Sequence, residues 1–148
     1  MGSPIPFRPA YAEFRETVQA SFDRQGLMRA LGGRIRRIDP GSVEVELPYS
    51  AAVTQQHGYF HAAAVAAIAD NAGGYAALTL MGRDEEVLAA EFKINFLRPA
   101  VGDLLVADAT VLRAGRSLVI SQIEVTAPKG ADSNVVAVML QTNFRSSP

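Results

Sequence analysis

The 148-residue sequence contains no cysteine and only two histidines. The first absence excludes disulfides, thiolate metal sites and a cysteine nucleophile. With so few imidazoles as well, a zinc site has little to be built from. No G-x-S-x-G, G-x-G-x-x-G or Walker sequence occurs, which argues against nucleophile-elbow serine hydrolases and against nucleotide-binding folds. The net charge is −1, so no global basicity points to nucleic acid. Residues 1–9 are proline-rich and lack an apolar h-region; no signal peptide is read and a cytoplasmic protein is expected. Repeats, low-complexity tracts and linkers are also missing. A single domain over 1–148 is expected, with 1–31 as an N-terminal helical extension.

What is present is an ordinary globular balance, 49% hydrophobic and 20% charged. Residues 1–40 hold seven arginines (8, 15, 24, 29, 34, 36, 37) against four acids, a local +3. A solvated face is the plain reading of this excess and a polyanion site the alternative. Residues 9–31 read as one helix, with Phe14, Val18 and Phe22 along one stripe and Gly32-Gly33 ending it. Arg34–Asp39 reads as a strand, and the alternation of Val43, Val45 and Leu47 with Glu44 and Glu46 as another. After a loop over 49–60 comes an apolar helix over 61–81. Strands are then expected over 87–97, 104–112, 117–126 and 134–144. Arg113-Ala114-Gly115-Arg116 is expected as a tight hairpin in which Gly115 supplies a positive φ. Strands joined by short turns make an antiparallel sheet. The fold class is α+β, with the long helix laid on one sheet face.

The apolar run from Phe60 to Met81 is about long enough to span a membrane. It is mostly Ala and Gly, however, and Asp70 sits at its centre, so a membrane span is rejected. A helix apolar all round is a buried helix, and an unpaired carboxylate inside it needs a reason. The helical neighbours of Asp70 are Ala66, Ala67, Gly73 and Gly74. Two mid-helix glycines cost roughly 1 kcal/mol each relative to Ala, so something approaches closely there. Either Asp70 pairs with an arginine and the glycines serve packing, or Asp70 is a pocket-facing acid or nucleophile. The start of the helix is the second candidate centre. Free N–H groups near Ala62 and Ala63 suit a developing oxyanion, with His61 as cap or participant. Nine residues separate His61 from Asp70, about 13.5 Å of rise and half a turn of rotation. One chain cannot bring both to one small electrophile; a twofold dimer can.

Gln55-Gln56-His57-Gly58-Tyr59-Phe60-His61-Ala62-Ala63, then Ala69-Asp70-Asn71, then Phe92-Lys93-Ile94-Asn95-Phe96-Leu97-Arg98-Pro99 resemble the hotdog-fold acyl-CoA thioesterases of the phenylacetate-catabolism (PaaI) type. The resemblance runs over roughly residues 30–145. It implies an antiparallel sheet wrapped round the central helix, a homodimer with a continuous sheet or a dimer of such dimers, and active sites between subunits. It implies Asp70 as general base or nucleophile, with Gln55 and His61 beside it in the catalytic set. Ala62 and Ala63 N–H of the partner chain would polarise the thioester carbonyl. Gly58, Asn71, Arg113, Arg116 and Ser117 are the implied substrate contacts, the two arginines for coenzyme A phosphates. No cofactor is implied, because coenzyme A belongs to the substrate; nor is a nucleic-acid or membrane partner. Gln55 stands where the family usually has Asn, and Ala62-Ala63 replace Gly-Gly. A strand hydroxyl used by some members is absent at Ala89-Ala90.

Thioester hydrolysis needs an activated water or a nucleophile and charge stabilisation at the carbonyl oxygen, which Asp70 and the helix start supply without metal. A carboxylate in an apolar pocket should hold its proton to higher pH than usual. Two rivals stand beside the hydrolase: a hotdog hydratase or dehydratase using His57 or His61 with Asp70, and a non-catalytic acyl-CoA-binding module. Tyr75 and Phe60 would suit an aromatic acyl group.

Overall fold

A computed structural model describes residues 6–147, so the first five residues of the proline-rich stretch lie outside the described residues. The stripe of Phe14, Val18 and Phe22 forms one face of helix α1 (Phe14–Asp23), and all three side chains are buried. The single helix expected over 9–31 is in fact two. Gln25 takes an extended conformation at the N-cap of a short helix α2 (Gly26–Leu31). Its side chain reaches inward to the Tyr75 hydroxyl, 2.7 Å away. This long-range bond accompanies a break that residue periodicity does not show.

Six antiparallel strands follow: β1 (Arg34–Asp39), β2 (Ser42–Pro48), β3 (Glu86–Phe96), β4 (Leu104–Ala114), β5 (Leu118–Lys129) and β6 (Asp132–Ser146). Val43, Val45 and Leu47 of β2 are fully buried while the residues between them are half-buried, as the alternation predicts. The sheet order is β1-β2-β4-β5-β6-β3. β3 therefore does not pair with β4, its sequence neighbour, but with β6 at the far edge. The segment 97–103 crosses between them and is pinned at the foot of the long helix, where Phe60 N–H donates to Ala100 O over 3.0 Å. Gly115 of the β4–β5 hairpin has no positive φ. It is tied instead by crowding, since a Cβ there would sit 2.7 Å from Leu118 O.

The long helix, α3 (Ala62–Leu78), packs against five of the six strands, β2 through β6. Ile68, Ala69, Ala72, Ala76 and Ala77 are fully buried. Small side chains all round let the sheet close on the helix from several sides at once. Among the described residues no helix is long and apolar enough to cross a membrane. Arg34 and Arg36 both pair with Glu46; Arg37 pairs with Asp39, Glu44 and Asp108. Much of the arginine excess is thus neutralised on the strands themselves.

Candidate active site

Two clefts lie along α3, one at its start and one near its middle. The first, of about 530 Å³, is lined by Gln55, His61, Ala62, Val65 and, from β3 and the crossing segment, Phe96 to Ala100. The loop before the helix is held by Gln55. Its Oε1 accepts from His57 N–H at 2.5 Å and Tyr59 N–H at 3.2 Å. Gly58 turns this loop with a φ of +81°, a conformation that side-chain-bearing residues rarely adopt. Its carbonyl takes the Tyr49 hydroxyl at 3.0 Å.

His61 is the N-cap of α3, and its Nδ1 accepts from Ala63 N–H at 2.9 Å. An imidazole nitrogen that accepts carries no proton of its own, so Nδ1 serves here as the cap's acceptor. Of the two amides expected at a substrate carbonyl, Ala63's is thus already engaged. The Ala62 N–H has no acceptor among the described residues. It is one of the orphan donors of a helix start, it lies at the positive end of the helix, and it belongs to an exposed residue.

The second cleft, of about 200 Å³, is lined by Asp70, Asn71, Gly74 and Tyr75 of α3, Val87 and Ala89 of β3, Asn143 of β6 and Gln25. Asp70 is half-buried and forms no ion pair among the described residues. Its partner is Gln141, whose Nε2 donates to Asp70 Oδ1 at 2.6 Å and to Asp70 O at 3.2 Å. Asn143 Nδ2 in turn donates to Gln141 Oε1 at 3.1 Å. Burial pushes the Asp70 carboxyl above its ordinary range, and the Gln141 hydrogen bond partly opposes the rise.

The glycine pair now divides into two roles. A Cβ on Gly73 would run into Gln141 Oε1 and Ile123 Cδ1, whereas one on Gly74 would find its nearest neighbour, Asn143 Oδ1, 3.9 Å away. Gly73 admits the sheet's side chains; Gly74 leaves the cleft open. Asn71 is buried and donates to Ala67 O at 3.0 Å. The Oδ1 atoms of Asn71 and Asn143 are buried without a partner among the described residues. Both belong to residues lining the Asp70 cleft.

Residues 57–133 match the family model described as the thioesterase superfamily. The chain belongs to that superfamily. A thioesterase family protein from Silicibacter pomeroyi superposes with a TM-score of 0.89 at 39% identity, covering 91% of this chain and 99% of that one. The E. coli PaaI protein of the phenylacetic acid degradation operon superposes at 0.81 with 25% identity, over 91% and 94% of the two chains. In sequence, a 1,4-dihydroxy-2-naphthoyl-CoA hydrolase of Listeria monocytogenes is 28% identical over 68% of this chain and 82% of its own. The fold is the hotdog, and the resemblance to PaaI-type thioesterases holds.

Within this thioesterase-superfamily chain, Gln55, His61 and Ala62 line the first cleft, and Asp70 and Asn71 the second. Gly58 and Ala63 line neither cleft, though each is next to residues that line the first. Arg113, Arg116 and Ser117 line neither cleft. They lie exposed at the β4–β5 hairpin, which Arg145 ties to the segment after α3 through Gly115 O and Glu85. The arginine that does line a cleft is Arg98. In the sequence it belongs to the strand end that carries part of the family resemblance, with no substrate role attached. Gln141, Asn143 and Gln25 also escape a sequence reading, because they are polar residues with no motif around them.

Proposed function

We propose that the protein hydrolyses acyl-CoA thioesters, with Asp70 as the general base or nucleophile and the Ala62 N–H of a second copy as the carbonyl donor. The observation that carries this reading is the pair of half-sites on one chain: a half-buried carboxylate in one cleft and an unpaired helix-terminal N–H in another. As base, Asp70 takes a proton from water, the hydroxyl adds to the thioester carbon, and the oxyanion rests on Ala62 N–H until the thiolate of coenzyme A leaves. As nucleophile, the carboxylate adds directly to the thioester carbon, the coenzyme A thiolate leaves as the C–S bond breaks, and water then cleaves the mixed anhydride to the free acid and the restored carboxylate.

Strand β3 supports the dimer. It is an 11-residue edge strand with little cover, an arrangement that invites pairing with another chain. Phe92 and Phe96 register with Gln141 and Ala137, so they share the helix-side face, yet both stay about half exposed. Ala89 borders the Asp70 cleft and Phe96 the helix-start cleft, seven residues and roughly 23 Å apart. An antiparallel twofold pairing of β3 with itself, centred near Phe92 and Lys93, brings each chain's Asp70 cleft to the partner's helix start.

The test is a thiol-release assay over short, long and aryl acyl-CoAs. Wild type should release coenzyme A, and Asp70→Asn should lose about 10²-fold or more of kcat while keeping its fold. Binding of acyl-CoA by wild type without thiol release would replace this reading with a binding module. Unchanged turnover in Asp70→Asn would remove Asp70 from the chemistry.

A further inference from the structure

Hydrolysis by Asp70 and the helix start gives no task to Gln141, the buried polar side chain bonded to the carboxylate. Gln141 is fully buried, 0% exposed, on a strand face it shares with Ala137, Met139 and Asn143 and opposite Ser121 of β5. We propose that Gln141 is a positioning residue for Asp70: its amide holds one carboxylate oxygen and leaves the other facing the cleft. This rests on Asp70 being the reacting group.

Three observations converge on it. Gln141 Nε2 bonds both the side-chain Oδ1 and the main-chain O of Asp70, so it fixes the side chain relative to its own backbone. An ionised carboxylate only accepts, so the amide must present its NH₂ there, and Asn143 Nδ2 enforces that choice by donating to Gln141 Oε1. Finally, α3 carries Gly73 where a Cβ would collide with Gln141 Oε1, so the helix gives up a side chain to admit the amide. Among the described residues no charged side chain other than Asp70 lines the cleft, whether from α3, β3, β6 or the turn between α1 and α2. Tyr75, the remaining titratable group there, has its hydroxyl held by Gln25 and Ser21 at 2.7 and 3.1 Å. The amide is therefore the polar group that sets how the carboxylate points and that opposes the rise burial imposes on its ionisation.

Two variants test the role. Gln141→Met keeps the length and removes the donor; Gln141→Glu keeps the length and the acceptor for Asn143. In both, kcat should fall about tenfold with KM near wild type, and the acid limb of the kcat–pH profile should move to higher pH. The Asp70 carboxyl resonance in a ¹³C NMR titration should move the same way, further in Gln141→Glu, where a second acid faces it. In an Asp70→Asn background, Gln141→Met should produce no additional loss. An acid limb and an NMR titration unchanged in both variants overturn the proposal, as does an equal loss in the Asp70→Asn background. Because the NMR titration does not depend on turnover, it decides on Gln141 even where Asp70→Asn shows that the carboxylate is not the reacting group.

Discussion

In the proposed hydrolysis Asp70 gains its reactivity from the same burial that makes it a burden on the fold. In the unfolded chain the carboxyl ionises in its ordinary range; in the folded chain burial holds the proton to higher pH. The folded state therefore binds more protons across that window, and stability falls as pH rises through it. Below the ordinary carboxylate range both states are neutral and the penalty vanishes. Asp70→Asn, which can still accept from Gln141, should accordingly unfold at a temperature a few degrees above wild type near pH 8. That gap should close as the pH falls towards 4. Thermal unfolding at a series of pH values measures it directly, and a gap constant with pH would mean that the charge is not the source. The same substitution should lower turnover about 10²-fold or more, so gain in stability and loss of activity would share one atom-level cause.

At the scale of the element, the two adjacent glycines of α3 predict opposite outcomes for the same change. Gly73→Ala places a methyl against Gln141 Oε1 and Ile123 Cδ1, an overpacking that should cost about 1–3 kcal/mol in denaturant unfolding. Gly74→Ala meets nothing closer than 3.9 Å. It should gain up to about 1 kcal/mol from helix propensity while placing a methyl in the Asp70 cleft and lowering thiol release. Equal effects at the two positions would undo the division of roles. The helix itself was legible because a long apolar stretch interrupted by one acid and two glycines fits little except a buried helix, and β2 because its alternation is clean. What lay beyond the sequence depended on pairings far along the chain. Gln141 reaches Asp70 across 71 positions, and a glutamine in a strand carries no mark of its partner. The placement of β3 beside β6 was hidden for a like reason: alternation tells which face a strand buries, not which neighbour it has. Arg113 and Arg116 carry charge beside a turn, and in the single chain neither lines a cleft.

At the scale of the whole molecule, the proposed reaction gives each chain two half-sites that its own helix keeps apart, so function and assembly become one question. Ala62 is the first residue of α3 and follows His61 in an extended conformation with ψ of 139°. Proline is suited to that position and tolerated by such a predecessor. Ala62→Pro therefore deletes the unpaired N–H with little harm to the helix, and should lower kcat by about 10²–10³-fold, as loss of a carbonyl-oxygen donor does. The two inactive chains can then be combined. In a mixed dimer of Asp70→Asn with Ala62→Pro, one site carries both lesions and the other carries neither. Random exchange at equal concentrations should restore about a quarter of wild-type turnover, since half of the dimers are mixed and each has one intact site. Recovery should follow the rate of subunit exchange and fail when the chains are kept separate. If mixed dimers form, as native mass spectrometry can establish, and no activity returns, carboxylate and amide do not meet across a twofold axis.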